Sequence, residues 1–268
     1  MASASRKHLS PDEYTMSTPL FFCITHQQPE WPLPDFLTMV GTGGYVPPTG
    51  IALSERYPDL AFRNEHLGEF AALFALRRLL ADEPAERMVG VCHYRRFALT
   101  VPLGEIRGFN SYAHPDLLPR ALPEHFFGDG RTVIVPSLVQ FAGSVLRQYA
   151  AVAEARDLLM YFGAAVDAGA VDQNQAADFL SQNAFIPAGT AAFIPVGWFR
   201  DIVARVELAT DHFMRTTHIE REGQQKRNAG FCAERFHSML LQQHLDQHGW
   251  DKVIATPMTM LADFGARA

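Results

Sequence analysis

Residues 64–97 constrain the fold more tightly than any other stretch. Apolar residues occupy every position from Phe70 to Leu76, so a helix here must be buried on more than one side. The pattern predicts a helix from Glu65 to about Ala81, with Asn64 as its N-cap and Asp82-Glu83-Pro84 as its close. Glu69 near its start and Arg77-Arg78 near its end suit the helix dipole. A short connection then leads to an apolar strand, Met88-Val89-Gly90-Val91-Cys92, and an earlier strand is expected at Leu20-Phe21-Phe22-Cys23-Ile24. Strand, helix, strand is the rhythm of a parallel α/β sheet.

The rest of the chain fits that class. Further strands are expected at Thr132–Pro136 and Lys252–Ala255, with a short apolar segment at Ala191–Ile194. Helical patterns cover Ser144 to about Ala168, Val171–Gln182, Trp198–Phe213 and Phe231–His248. The Gly41-Thr42-Gly43-Gly44 loop lacks the GxxxxGK[ST] pattern of a phosphate cradle. Residues 47–60 (through PPTG and RYPDL) and the polar stretch after Phe97 to Arg131 read as loop.

With 268 residues, one large domain is the better expectation than two small ones, here a flexible leader over residues 1–17 followed by one domain over 18–268. Hydrophobic residues at 48% and charged residues at 19% exclude intrinsic disorder. A formal charge of −6 gives no footprint for nucleic acid. Neither a membrane-spanning run nor a signal peptide is evident. Cys23, Cys92 and Cys232 form no CxxC pair, and two of them sit in apolar runs. The expected location is therefore a reducing one, the cytoplasm. Oligomeric state is left open.

The chemistry concentrates at two strand ends. Ligands of open α/β sheets bind outside the carboxyl ends of the strands. His26 follows the first strand, and His93-Tyr94-Arg95-Arg96 follows the second with no turn residue between. Paired guanidinium groups offer planar donor forks to phosphate or carboxylate, so one reading is an anionic ligand such as a diphosphate. The other is that one arginine pairs with Glu69 or Asp82 and its neighbour is solvated. Elsewhere His237, His244 and His248 share a helix face without the carboxylate of an HExxH site, and a solvated face is expected. Trp31, Trp198 and Trp250 are too scattered to predict a stacking platform, and no GxSxG nucleophile elbow occurs.

These residues carry a resemblance. The run N-E-H-L-G-E-F-A-A-L-F-A-L, followed by V-G-V-C-H-Y-R-R-F, resembles the signature N…ELTALYW…GLCHYRRYF of the DUF4422 proteins. Those are glycosyltransferases of capsule and O-antigen synthesis, galactofuranosyltransferases among them. Asn64, Glu69 and His93 to Phe97 match position by position. Arg227 to Arg235 (RNAGFCAER) resembles the family's R…GFLSERL, and Ile24-Thr25-His26 is similar to its first-strand THK. The chain departs from the pattern at Gln27, at ALFALRRL, and at Ala191-Ala192-Phe193-Ile194-Pro195, where the family has NMFIM.

The resemblance implies a GT-A-like (Rossmann-like) α/β fold, a mixed, mostly parallel sheet flanked by helices, with a nucleotide-sugar donor over the strand ends. Carried over residue by residue, Thr25, His26, Asn64, Tyr94, Arg95, Arg96, Arg227 and Arg235 would bind substrate. Glu234 would be the base of an inverting transfer, oriented by Arg235. Glu69 would be the second candidate, or the partner that orients His93 or Arg95. The reading that competes for Glu234 is a helix-start carboxylate complementing the dipole.

The Asp-x-Asp that holds a divalent ion in metal-dependent relatives of that architecture is missing here, as is Asp-x-Glu. His93, Arg95 and Arg96 would then neutralise the leaving diphosphate, with no metal and no cofactor beyond the nucleotide-sugar co-substrate. The implied partners are that donor, most simply a UDP-sugar, and a saccharide or small-molecule acceptor. Two alternatives stay open: a non-catalytic nucleotide- or anion-binding protein of the same fold, and an enzyme that modifies a small natural product.

Overall fold

The computed structural model describes residues 18–217 and 221–262, and the expected leader over residues 1–17 lies outside them. Strand β1 (Leu20–Thr25) is buried along nearly its whole length, as a strand covered on both faces must be. It pairs in parallel with β2 (Thr38–Gly41), and β2 with β3 (Ile51–Ala52).

The next helices correct the sequence reading. Residues read as loop form α1 (Leu53–Arg56) and open α2 (Pro58–Leu67), where Pro58 stands at a helix start that needs no N–H. Asn64 is thus no N-cap. It lies inside α2, and its carbonyl accepts the N–H of Gly68. Gly68 has φ +56°, a left-handed conformation that stops a right-handed helix and is free of strain only for glycine. Helix α3 (Phe70–Leu79) starts afresh two residues later, buried all round from Phe70 to Leu76.

Strand β4 (Met88–His93) lies parallel to β1, with Cys23 opposite Cys92 and Ile24 opposite His93. The chain then reverses through Tyr94 and Arg95 into β5 (Arg96–Phe97), which pairs antiparallel with the end of β4. A second departure follows, because the stretch read as loop holds β6 (Glu105–Arg107), β7 (Asn110–Ala113) and α4 (Pro123–Phe127). Phe126 and Phe127 of α4 pack edge-on against Phe21 of β1, with ring centroids 5.6 Å away in both cases.

Strand β8 (Val133–Pro136) is where the sequence places it, and β9 (Val139–Gln140) follows. The single helix expected over 144–168 is two, α5 (Val145–Ala150) and α6 (Ala155–Asp167). Ser144 caps α5, and the Tyr149 carbonyl closes it by accepting the N–H groups of both Val152 and Ala153. Asp172 caps α7 (Gln173–Ser181). Next come β10 (Ala184–Phe185), β11 (Phe193–Pro195), α8 (Val196–Thr216) and α9 (Asn228–His248), and last β12 (Val253–Thr256) and β13 (Met258–Leu261).

The main sheet runs β3-β2-β1-β4-β11-β8-β12, and β5-β13-β7-β6 extends it from the end of β4. Its longer ladders are mostly parallel; β11 runs antiparallel between β4 and β8. Helices α6, α8 and α9 pack on one another, and α3 packs on α8. Among the described residues, no helix is long and apolar enough to cross a membrane.

Candidate active site

The carboxyl ends of β1 and β4 open into a cavity of about 530 Å³. Because the two strands are neighbours in parallel, the Thr25-His26 and His93-Arg96 segments emerge side by side. The glycine loop after β2, the end of α2 and the segment before α9 complete the walls through Thr42, Gly43, Asn64, Gly68, Glu69 and Arg227. Thr25, His26, Asn64, Glu69, His93, Tyr94, Arg95, Arg96 and Arg227 therefore share one cavity. Thr25 uses its hydroxyl to hold the loop, donating to the Gln27 carbonyl. Asn64 Oδ1 is buried and has no partner among the described residues.

Glu69 occupies the position preceding α3 and organises the floor. One oxygen, Oε1, accepts the Thr190 hydroxyl at 2.7 Å. The other, Oε2, lies 3.0 Å from His93 Nε2, close enough for an ion pair but off the line of an ideal hydrogen bond. Burial pushes the His93 imidazole below its ordinary pKa; Glu69 pulls it up, Arg96 pushes it further down, and Glu234 pulls it up. His93 is therefore a neutral donor or acceptor near pH 7.

Neither Arg95 nor Arg96 forms an ion pair with Glu69 or Asp82, and Arg227 also has no carboxylate partner among the described residues. Arg95 instead rests on aromatic rings. Its guanidinium lies 5.1 Å from the Tyr94 centroid and 5.8 Å from that of Trp31. Trp31 and Tyr94 stack at 6.0 Å and 19°, with His26 edge-on to Tyr94 at 5.5 Å. The stacking role of Trp31 escaped the sequence reading, which saw only three scattered tryptophans. Its position in a proline-rich loop straight after β1 is the signal that was there to use.

Helix α9 starts at Asn228, so Glu234 is seven residues into it and does not open it. Its Oε1 accepts the Ala188 N–H at 3.1 Å and its Oε2 the Arg235 guanidinium at 2.8 Å. Arg235 is placed behind Glu234, outside the walls of the cavity, with its guanidinium 5.3 Å from both the Tyr149 and Phe185 rings. It braces a carboxylate from there. Gly230 lets α9 approach α2, since a Cβ there would lie 2.7 Å from the Leu67 carbonyl oxygen. Ala191 and Ala192 are buried and present only methyl groups.

The histidines of α9 do not share one solvated face. His237 is buried against Phe70, its Nδ1 has no partner, and burial holds its pKa down to about 4, with Glu69 pulling upward. His244 Nε2 lies 3.0 Å from Asp201 and stacks on Trp198, while His248 meets the same indole edge-on. Among the described residues no cluster of three His, Cys, Asp or Glu side chains could hold a metal ion. All three cysteines are free and buried.

No protein-family model and no curated protein matches the chain. One solved structure does, that of WbbM, described as a bifunctional glycosyltransferase. It superposes with a TM-score of 0.71 at 15% sequence identity, over 92% of this chain and 46% of that one, so the chain spans about half the length of the protein it matches. The mixed, mostly parallel sheet flanked by helices is thus a fold that this chain shares with WbbM.

Proposed function

We propose that this chain transfers a sugar from a nucleotide-sugar donor, most simply a UDP-sugar, to an acceptor hydroxyl with inversion at the anomeric carbon. The observation that carries the reading is the pair Arg95 and Arg96 on one cavity at the strand ends, both without a carboxylate partner among the described residues. A diphosphate is the ligand group that two adjacent guanidinium forks match best. The fold shared with WbbM, described as a bifunctional glycosyltransferase, supports a donor there.

In this mechanism the acceptor oxygen attacks the anomeric carbon as the bond to the diphosphate breaks. Charge builds on the departing diphosphate, where preorganised cations act most strongly. Arg95 and Arg96 supply that charge; His93, neutral near pH 7, supplies a hydrogen bond. Glu234 takes the acceptor proton, held by Arg235 and the Ala188 N–H. Glu69 orients His93. No divalent metal is required, and DUF4422 membership is part of the same proposal.

Thermal shift against a panel of nucleotides and nucleotide sugars tests it. Stabilisation by UDP or another nucleoside diphosphate, lost in Arg95→Ala, is the expected result. Turnover should survive EDTA, and strict dependence on added Mn²⁺ or Mg²⁺ would remove the arginine-only mechanism. Glu234→Gln should abolish turnover while leaving donor binding intact. A second reading, a nucleotide-binding protein without transfer, draws on the buried methyl groups of Ala191 and Ala192 where the resembled family has asparagine and methionine. Donor binding with no hydrolysis or transfer would favour it.

A further inference from the structure

A second cavity of about 290 Å³ adjoins the first, and Gly68, Glu69, Arg96 and Arg227 belong to the walls of both. The two compartments otherwise differ in chemistry. Arg95, His26 and Asn64 face only the larger one. The smaller has an apolar floor of Leu67 and Phe70, with Phe231 and Glu234 beside it.

Arg227 is the N-cap residue of α9, and Phe231 and Glu234 lie in its first two turns. Arg227 at the N-cap, Phe231 and Glu234 stand at i, i+4 and i+7 and form one stripe of the cavity wall. In order, the stripe offers a cation, an aromatic ring and a carboxylate, spread over roughly 10 Å of helix axis. A sugar ring offers the matching sequence: an anionic substituent, an apolar C–H face and a hydroxyl.

The charges point the same way. Both carboxylates near the shared wall are already engaged, Glu69 by Thr190 and His93, Glu234 by Arg235 and the Ala188 N–H. Arg227 therefore has no acid to neutralise it among the described residues. It also approaches from the α9 side, whereas Arg95 and Arg96 approach from the turn after β4.

We infer that the smaller cavity is the acceptor compartment and that it takes a sugar unit bearing a carboxylate or phosphate. Arg227 binds the anionic group, Phe231 packs on the ring face, and the reacting hydroxyl lies at Glu234. This rests on the transferase reading above. The hydroxyl oxygen forms the new bond to the anomeric carbon, its proton passes to the Glu234 carboxylate, and the diphosphate leaves with the electron pair of the broken bond.

The test is titration of the full chain, saturated with the nucleoside diphosphate that stabilises it most, with hexuronic acids, hexose 6-phosphates and the parent hexoses of the gluco and galacto series. Anionic sugars should bind about tenfold more tightly than their neutral parents. Whether uronates or phosphates bind more tightly identifies the anionic group. Arg227→Ala should abolish that preference while changing nucleoside diphosphate affinity less than about threefold; Phe231→Ala should weaken charged and neutral sugars alike. Equal binding of anionic and neutral sugars would overturn the inference. So would an Arg227→Ala variant that loses the nucleoside diphosphate as Arg95→Ala does, since Arg227 would then serve the donor. Failure of every nucleoside diphosphate to bind the unaltered chain would instead overturn the transferase reading, and this inference with it.

Discussion

The arginines around α3 and α8 and those of the crevice lead different lives. Arg77 directs Nε and Nη2 at Glu207 Oε2, at 3.1 and 2.6 Å, joining α3 to α8. Arg78 spans Asp59 and Glu207, Arg63 joins α2 to Asp211, and Arg221 grips Asp157 with two nitrogens at 3.1 and 2.7 Å. Each ties one part of the chain to another. In the crevice Arg95, Arg96 and Arg227 have no such partner among the described residues, although the chain carries 29 acidic residues against 23 basic ones. A shortage of carboxylates is no explanation. Glu69 and Glu234 stand close by but are engaged by other donors, so the guanidinium groups stay available to a ligand.

That contrast can be broken experimentally, and the largest effect should come from a paired arginine. Arg221→Ala leaves the fully buried Asp157 carboxylate without its cation, which should cost about 3 kcal/mol. The melting temperature should fall by about 6–12 °C. Without ligand, Arg95→Ala should barely move it; equal losses would erase the distinction between the two groups.

Next in size is a pH effect beneath the crevice. The His237 imidazole is held to about 4 in the folded chain against 6.5 when unfolded, chiefly by burial. Its folded pKa is depressed, so its stabilising share is complete above pH 6.5 and is lost as pH falls through about 4. The loss should be on the order of 3 kcal/mol. Chemical denaturation across this window should show a shallower pH slope in His237→Gln, and an unchanged slope would mean that His237 is not the titrating group.

Smaller again is the ligand effect of a crevice arginine. Arg95→Ala should weaken nucleoside diphosphate binding by about ten- to a hundredfold, read by calorimetry. Smallest is the exposed Lys226–Glu65 pair, 2.9 Å apart. Glu65→Gln should leave the melting temperature unchanged within error, as pairing alone does not make an exposed ion pair matter.

Much of the crevice was legible because strand ends are local features. The Met88–Val91 run and the polar block after it predict both a strand and a site from consecutive residues. The break at Gly68 was hidden by its context, since the unbroken apolar run from Phe70 onward reads equally well as one long helix. Strand β5 has two residues and pairs with β13, which begins more than 150 residues later. No short window contains both halves of that pairing. His237 was misread for a related reason: helical spacing groups it with His244 and His248, but Phe70 and Gly189, from distant segments, decide its burial. Glu234 is singled out by the resemblance alone; of the groups that hold it, Arg235 is its neighbour in sequence, while the Ala188 N–H belongs to a loop whose shape the local pattern does not dictate.

The stack of Trp31 on Tyr94, with the Arg95 guanidinium against it, makes the crevice its own fluorophore. A phosphate that draws Arg95 away changes the charge beside the indole, so emission should shift as the site fills. The other two indoles are engaged elsewhere, Trp198 with His244 and Trp250 through its N–H to Asp246. With both replaced by phenylalanine, a single tryptophan would report occupancy in solution, without label or substrate turnover.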